Sequence, residues 1–182
     1  MPTVQIPCNF IGQFKVGDNL RYNCDLLCAL AASNVDNSFN KMIVLQTGSI
    51  IEAALIEIIF RAQNYNVEGV PNIAAGDRQK IEELKIDKFA VAIDVLRKYG
   101  VLNGVRENVY DDLHRLRKYR NKVHIQDDVK IEGAPRDEED LFTNILVAWS
   151  IILNREVLQF LSDHLPRPAH IHGYVGDLEV PV

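Results

Sequence analysis

Apolar residues recur at three- and four-residue intervals along most of the chain, the period of helices rather than strands. Gly17-Asp18 opens the first such pattern, with Asp18 placed as a cap, and Leu20, Cys24, Leu27 and Ala31 continue it. After a break at Asn34 to Asn37, a long helix is predicted from about Ser38 to Gln63. Its middle, IVLQTGSIIEAALIEIIF, is apolar over most of its circumference, and Gln46, Ser49 and Glu57 fall within about a quarter of the wheel. Such a helix is central and packs on two or three neighbours. Gly48 marks a place where another helix can cross closely.

Asn64 to Gly76 reads as a loop, after which Asp77 caps a helix to about Leu84. A second piece, Asp87 to Tyr99, carries Phe89, Ile93 and Leu96 and stops at Gly100, where a C′ glycine belongs. A fourth pattern runs from about Glu107 to about His124 through Val109, Leu113, Leu116 and Val123. Gly133-Ala134-Pro135 breaks the chain again. Asp137 then caps a last long helix to about His164, with Leu141, Ile145, Trp149, Ile152 and Leu158 at helical spacing; Pro166 and Pro168 end it. No run reads as a strand, KIDKFAVAID being the nearest rival, and no internal repeat is present. The pattern predicts an all-α, up-and-down bundle of four to five helices over residues 17–165. Residues 1–16 form an irregular arm in this reading, and 166–182 an extended tail.

Composition narrows the function classes. The chain has 182 residues, 47% hydrophobic and 25% charged, which is globular usage and the size of one domain. A formal charge of −5 excludes binding nucleic acid through an overall basic field, so any such role needs a local patch. Cys8, Cys24 and Cys28 make no disulfide framework and are expected as reduced thiols of a cytoplasmic protein. MPTVQIPCNFIGQF lacks the charged and apolar regions of a signal peptide. The most apolar stretch, Ile43 to Phe60, is short for a membrane span and carries Glu52 and Glu57, so no membrane partner is expected.

The local patch exists. LHRLRKYRNKVHIQ holds His114, Arg115, Arg117, Lys118, Arg120, Lys122 and His124, with no acid until Asp127. Cations near a helix C-terminus complement its dipole, which accounts for the charge but not for its placement. On a helical wheel Arg120 falls inside the stripe defined by Val109, Leu113, Leu116 and Val123, where an arginine needs a partner; Glu52 and Glu57 are the candidates. Arg117, Asn121 and His124 share the adjoining edge. Two guanidinium groups, an amide and an imidazole at one rim suit phosphate chemistry: guanidinium holds phosphate charge and imidazole moves protons. Asn121 also suits a helix end, and His124 also suits capping of the last carbonyls.

Other constellations are weaker. Glu52 and Glu57 are five residues apart, without the same-face spacing of a paired-carboxylate metal site. His170-Ile171-His172 reads as a solvated tail, and Arg167 to His172 repeats the Arg…His spacing outside any helical context. Trp149 lies on the last helix's apolar stripe, as core or as dimer interface and not as a stacking platform. No Gly-rich phosphate loop, Ser–His–Asp order or zinc-ligand spacing appears, and no cofactor or metal is expected.

LRKYRNKVH, preceded by an apolar helix with internal glutamates and followed by a turn and a long C-terminal helix, resembles the HEPN superfamily. The resemblance covers about residues 17 to 164, and its specific part is the short motif, an Arg, often with a polar residue after it, then a His after four to six intervening positions. It implies a small α-helical domain of toxin–antitoxin, phage-defence or RNA-processing systems. It further implies a homodimer whose two Arg–His motifs form one cleft, and metal-independent endoribonuclease activity leaving a cyclic phosphate. Carried onto this chain, Arg117, Arg120 and His124 are the catalytic candidates, Asn121, Lys118 and Lys122 would bind substrate, and Glu52 and Glu57 would support them. The chain departs from the motif in one respect: Arg120 carries the following Asn121 but only three residues separate it from His124, whereas Arg117, with six between, is followed by Lys118. Inactive members of the superfamily serve as dimerisation or interaction modules, with partners such as a nucleotidyltransferase antitoxin. That is the alternative reading.

Overall fold

The computed structural model describes residues 1–64, 70, 73, 75–124, 131–170 and 175–182. In chain order these form β1 (Thr3–Ile6), α1 (Phe14–Ser33), α2 (Asn40–Asn64), α3 (Ala75–Glu82), α4 (Phe89–Lys98), α5 (Val109–Asn121), α6 (Glu138–Leu141), α7 (Asn144–His164) and β2 (Leu178–Pro181). The mostly helical character agrees with the sequence pattern. The loop expected over Asn64 to Gly76 falls largely outside the described residues, as do Asp127 and His172.

α2 is the axis of the fold and packs against α1, α3, α4, α5 and α7. This explains why its apolar residues run nearly all round: Ile43, Val44, Ile50, Ile51, Leu55, Ile58 and Ile59 are all essentially inaccessible. Burying one such side chain contributes about 1.5–3 kcal/mol over leaving it in water. α4 ends as its sequence implies, with Gly100 at φ +62° beyond the Tyr99 cap. By length and apolarity alone α2 and α7 are each able to cross a membrane. More than half of the most apolar window of each is instead buried inside the protein, as in core helices.

Four expectations are corrected. Two runs do form strands, one in the arm and one in the extended tail: β1 and β2 pair antiparallel, with Thr3 opposite Pro181 and Ile6 opposite Leu178. Ile6, Leu178 and Val180 are fully buried and β2 lies along α1. Four residues give too short an alternation to register as a strand, and the partner lies at the other end of the sequence. α1 starts at Phe14, with Gln13 rather than Asp18 at the cap position, because residues 9–13 are pinned by tertiary contacts. The last helix is two, since Phe142 and Thr143 interrupt it and Thr143 Oγ1 accepts the Leu146 N–H at 3.2 Å. Finally, Val123 is 50% exposed, because α5 stops at Asn121 before the stripe reaches it.

The arm is held by buried charge. Arg61 on α2, 1% exposed, donates from Nη1 to the carbonyls of Phe10 (2.9 Å) and Leu165 (2.5 Å). Arg167 is also buried; its Nη1 donates to the Ile11 carbonyl at 3.0 Å and its backbone N–H to Asn9 at 2.8 Å. Glu57 faces both guanidinium groups and accepts the N–H groups of Gly12 and Gln13. Residues 9–13 and 165–167 therefore close over the C-terminal half of α2 as part of one core.

Candidate functional site

α5 places the basic segment. Its first turn carries Asp111 and Asp112 and its last turn Lys118 and Arg120, the charge order a helix dipole favours. Val109, Leu113 and Leu116 are fully buried against α2, and Tyr119 closes the side facing α7. This orientation sends Arg120 onto α2, as its wheel position implies. A Cβ on Gly48 would lie 2.8 Å from the Arg120 Cβ and 3.0 Å from its Cγ, so the glycine opens the space that the arginine stem crosses. One turn further along α2, the Arg120 guanidinium pairs with Glu52.

Glu52 is a junction of three helices. Its carboxylate takes Arg120 from α5 and the backbone N–H of Phe89, the first residue of α4, whose cap position Lys88 supplies no side-chain bond. Burial raises the Glu52 pKa above the ordinary carboxylate value; Arg120 and the Phe89 N–H oppose the rise. Arg120 is thus committed to a structural contact. Glu57, expected beside it as a second support, lies on another side of α2 with the arm and Arg167. Burial dominates there and pushes its pKa up to about 7, against the two N–H groups, Arg167 and Arg61.

The remaining members of the motif sit differently. Arg117 is half-buried, forms no ion pair among the described residues, and keeps a buried Nε without a hydrogen-bond partner. Asn121 and Lys118 are half-buried, while Lys122 is buried at the α5 C-cap and donates its N–H to the Tyr119 carbonyl. His124 stands beyond the helix end with its side chain exposed, its N–H bonded to the Asn121 carbonyl at 3.2 Å. Among the described residues no side-chain hydrogen bond joins Arg117, Asn121 and His124 to one another. What unites them is their place at one end of α5. His114 points elsewhere, with Nε2 3.1 Å from Asp94 of α4.

Among the described residues no group of three or more His, Cys, Asp and Glu side chains is placed to hold a metal ion. His170 is exposed. The three thiols are free; burial pushes Cys8 up to about 12 and Cys28 up to about 11, and raises Cys24 as well. Cys8 and Cys24 are core side chains, while Cys28 is half-buried with its Sγ 3.3 Å from the Glu179 carbonyl oxygen.

On the opposite flank of α5, a cavity of about 320 Å³ opens between α5, the Gly133–Pro135 loop, α6 and the start of α7. The Arg115 guanidinium lies 5.2 Å from the ring centre of Trp149 and 5.7 Å from that of Tyr119. Asp140, Thr143 and Leu146 line the other wall. Sequence reasoning assigned Trp149 to core or interface and did not single out Arg115 or Asp140. The signals available were the i,i+4 spacing of Arg115 and Tyr119 and the interrupting Thr143. Comparison with models of known families, with curated proteins and with solved structures finds no match to this chain.

Proposed function

We propose that the chain is a HEPN-like, metal-independent endoribonuclease that acts as a cytoplasmic homodimer, in a toxin–antitoxin or phage-defence setting. Arg117 is the motif arginine in this reading and His124 moves the proton. The observation that carries it is the division of labour along α5: Glu52 takes Arg120, while Arg117 has no ion-pair partner among the described residues and His124 is open to solvent. Six residues separate Arg117 from His124, as the resemblance requires.

The chemistry needs no bound group. The 2′-hydroxyl of a substrate nucleotide loses its proton and attacks the adjacent phosphorus, the bond to the 5′ oxygen breaks, and that oxygen gains a proton. The strand is left with a 2′,3′-cyclic phosphate. Arg117 holds the phosphate and its added transition-state charge, with Asn121 and Lys118 along the strand, while Lys122, expected there too, is buried at the α5 C-cap and does not reach it. His124 serves as proton donor or acceptor, and a second copy brings the other imidazole. Arg120 positions α5 rather than touching RNA.

The test is cleavage of a mixed RNA pool in EDTA by wild type and His124→Ala at matched oligomeric state. Cleavage by wild type alone supports the enzyme, and equal cleavage by both overturns it. One observation favours a second reading, a non-catalytic dimerisation module for a partner such as a nucleotidyltransferase antitoxin: the motif edge already spends Arg120 on Glu52. No cleavage by either protein would select that reading.

A further inference from the structure

The cavity between Arg115 and Asp140 combines features that the packing of the fold does not require. Its volume of about 320 Å³ falls at the lower end of small-ligand pockets, about 300–1,000 Å³. One side is aromatic: Tyr119 and Trp149 meet edge-on with ring centres 6.3 Å apart. Trp149 is half-buried, so part of its indole faces the opening.

The charges are the second feature. Arg115 contacts the faces of both rings, and its closest polar contacts to the Tyr119 hydroxyl are long, 3.3 and 3.4 Å. Asp140 lines the same cavity, yet neither residue has an ion-pair partner among the described residues, although neighbouring Glu138 pairs with Lys41 at 2.5 Å. The cavity thus sets a cation and a carboxylate around an aromatic wall. A fitting ligand brings a flat ring, an anion for Arg115 and hydrogen-bond donors for Asp140.

A nucleotide has all three. Its base stacks on an aromatic face, a contact worth about 1–3 kcal/mol and indifferent to sequence. Arginine binds its phosphate through a planar fork and stacks as well. Selectivity then falls to Asp140, an acceptor-only group when ionised. Guanine presents two adjacent N–H donors on its Watson–Crick edge to one carboxylate; cytosine and adenine present one amino group, and uracil one ring N–H beside carbonyls that repel it.

We infer that the Arg115–Trp149–Asp140 cavity binds a guanine nucleotide, its base on Trp149 and Asp140 and its phosphate on Arg115. This deepens the ribonuclease reading and rests on it for the source of the nucleotide, an unpaired guanosine of the substrate strand. Arg115 projects from a different face of α5 than Arg117, so the cavity anchors the strand away from the cleavage chemistry.

Trp149 is the single tryptophan of the chain, so its fluorescence reports on this cavity alone. The experiment titrates the full chain with GMP, guanosine, UMP, phenylalanine and a G-containing or uridine-only RNA tetramer, for wild type, Arg115→Gln and Asp140→Asn. Both altered side chains are exposed, and far-UV circular dichroism checks that folding is retained. Saturable quenching by GMP is expected, with UMP about tenfold or more weaker. Asp140→Asn should remove the GMP preference, and Arg115→Gln should weaken GMP while leaving guanosine unchanged.

Absence of GMP quenching, equal quenching by GMP and UMP, or indifference to both substitutions would overturn the inference. Saturation by phenylalanine with no response to GMP would overturn it in favour of a zwitterionic amino acid. Binding of GMP without the G-containing tetramer would overturn the strand-anchor role and name a free nucleotide as the ligand. Cleavage is read separately with His124→Ala, so GMP binding alongside cleavage that does not depend on His124 would sink the ribonuclease reading and leave the guanine site standing.

Discussion

The Arg120 guanidinium and the Glu52 carboxylate meet across the α5–α2 contact, the arginine stem lying over Gly48 and the carboxylate also receiving the first N–H of α4. The side chain of Arg120 is 33% exposed and that of Glu52 15%, so water replaces little of what the pair supplies. Glu52→Ala strands two donors, Arg120 and the Phe89 N–H, whereas Arg120→Ala strands one partly satisfied acceptor. Chemical unfolding should therefore show a larger loss for Glu52→Ala than for Arg120→Ala, each on the order of 1–3 kcal/mol. A double-mutant cycle should give a coupling of about 0.5–3 kcal/mol. Independent, additive losses would mean that the pair does not hold the junction.

Gly48 supplies a separate test. Adding a methyl there brings it within 2.8–3.0 Å of the Arg120 Cβ and Cγ, both near the backbone and unable to swing away as a side-chain tip does. Gly48→Ala is expected to destabilise by about 1–3 kcal/mol in urea unfolding despite the better helix propensity of alanine. A gain in stability would show that α5 does not approach α2 so closely.

Glu57 gives the chain a pH dependence of definite sign. Burial raises its pKa from the ordinary 4.5 to about 7 in the folded state. Between those values the folded protein holds more protons than the unfolded chain, so stability falls as pH rises through that window and levels off above it. The contribution is on the order of 3 kcal/mol. Wild type should lose more stability than Glu57→Gln between about pH 4.5 and about pH 7, measured as unfolding midpoints across the range. Parallel profiles would mean that Glu57 is solvated.

The terminal strands belong to the core rather than decorating it. Leu178 is fully buried opposite Ile6, and its truncation leaves a void beside α1. Leu178→Ala should cost about 2–5 kcal/mol, read by thermal or urea unfolding. A negligible loss would return β2 to the status of a detachable tail.

These cases show where the sequence was informative. α2, its glycine and the Gly100 stop were legible because each rests on local periodicity or on one residue's backbone freedom. Arg120's need for a partner was legible as well, since its wheel position demands one. The choice of Glu52 over Glu57 was not, because a five-residue separation turns the two carboxylates toward different neighbours that only the tertiary fold supplies. The β1–β2 pair, the guanidinium clamp of Arg61 and Arg167 on the arm, and the cavity of Arg115 join residues far apart in sequence. No local period encodes such contacts.

The central claim is that Arg117 and His124 cleave RNA without metal, and it is tested most directly by the ends of the fragments. Labelled RNA is incubated in EDTA with wild type, Arg117→Ala and His124→Ala, and the 3′ ends are typed before and after acid opening of cyclic phosphates. The account expects 2′,3′-cyclic phosphate ends from wild type and loss of cleavage by about two orders of magnitude or more in both variants. Cleavage that survives His124→Ala, or wild-type fragments ending in 3′-hydroxyl groups, would contradict it.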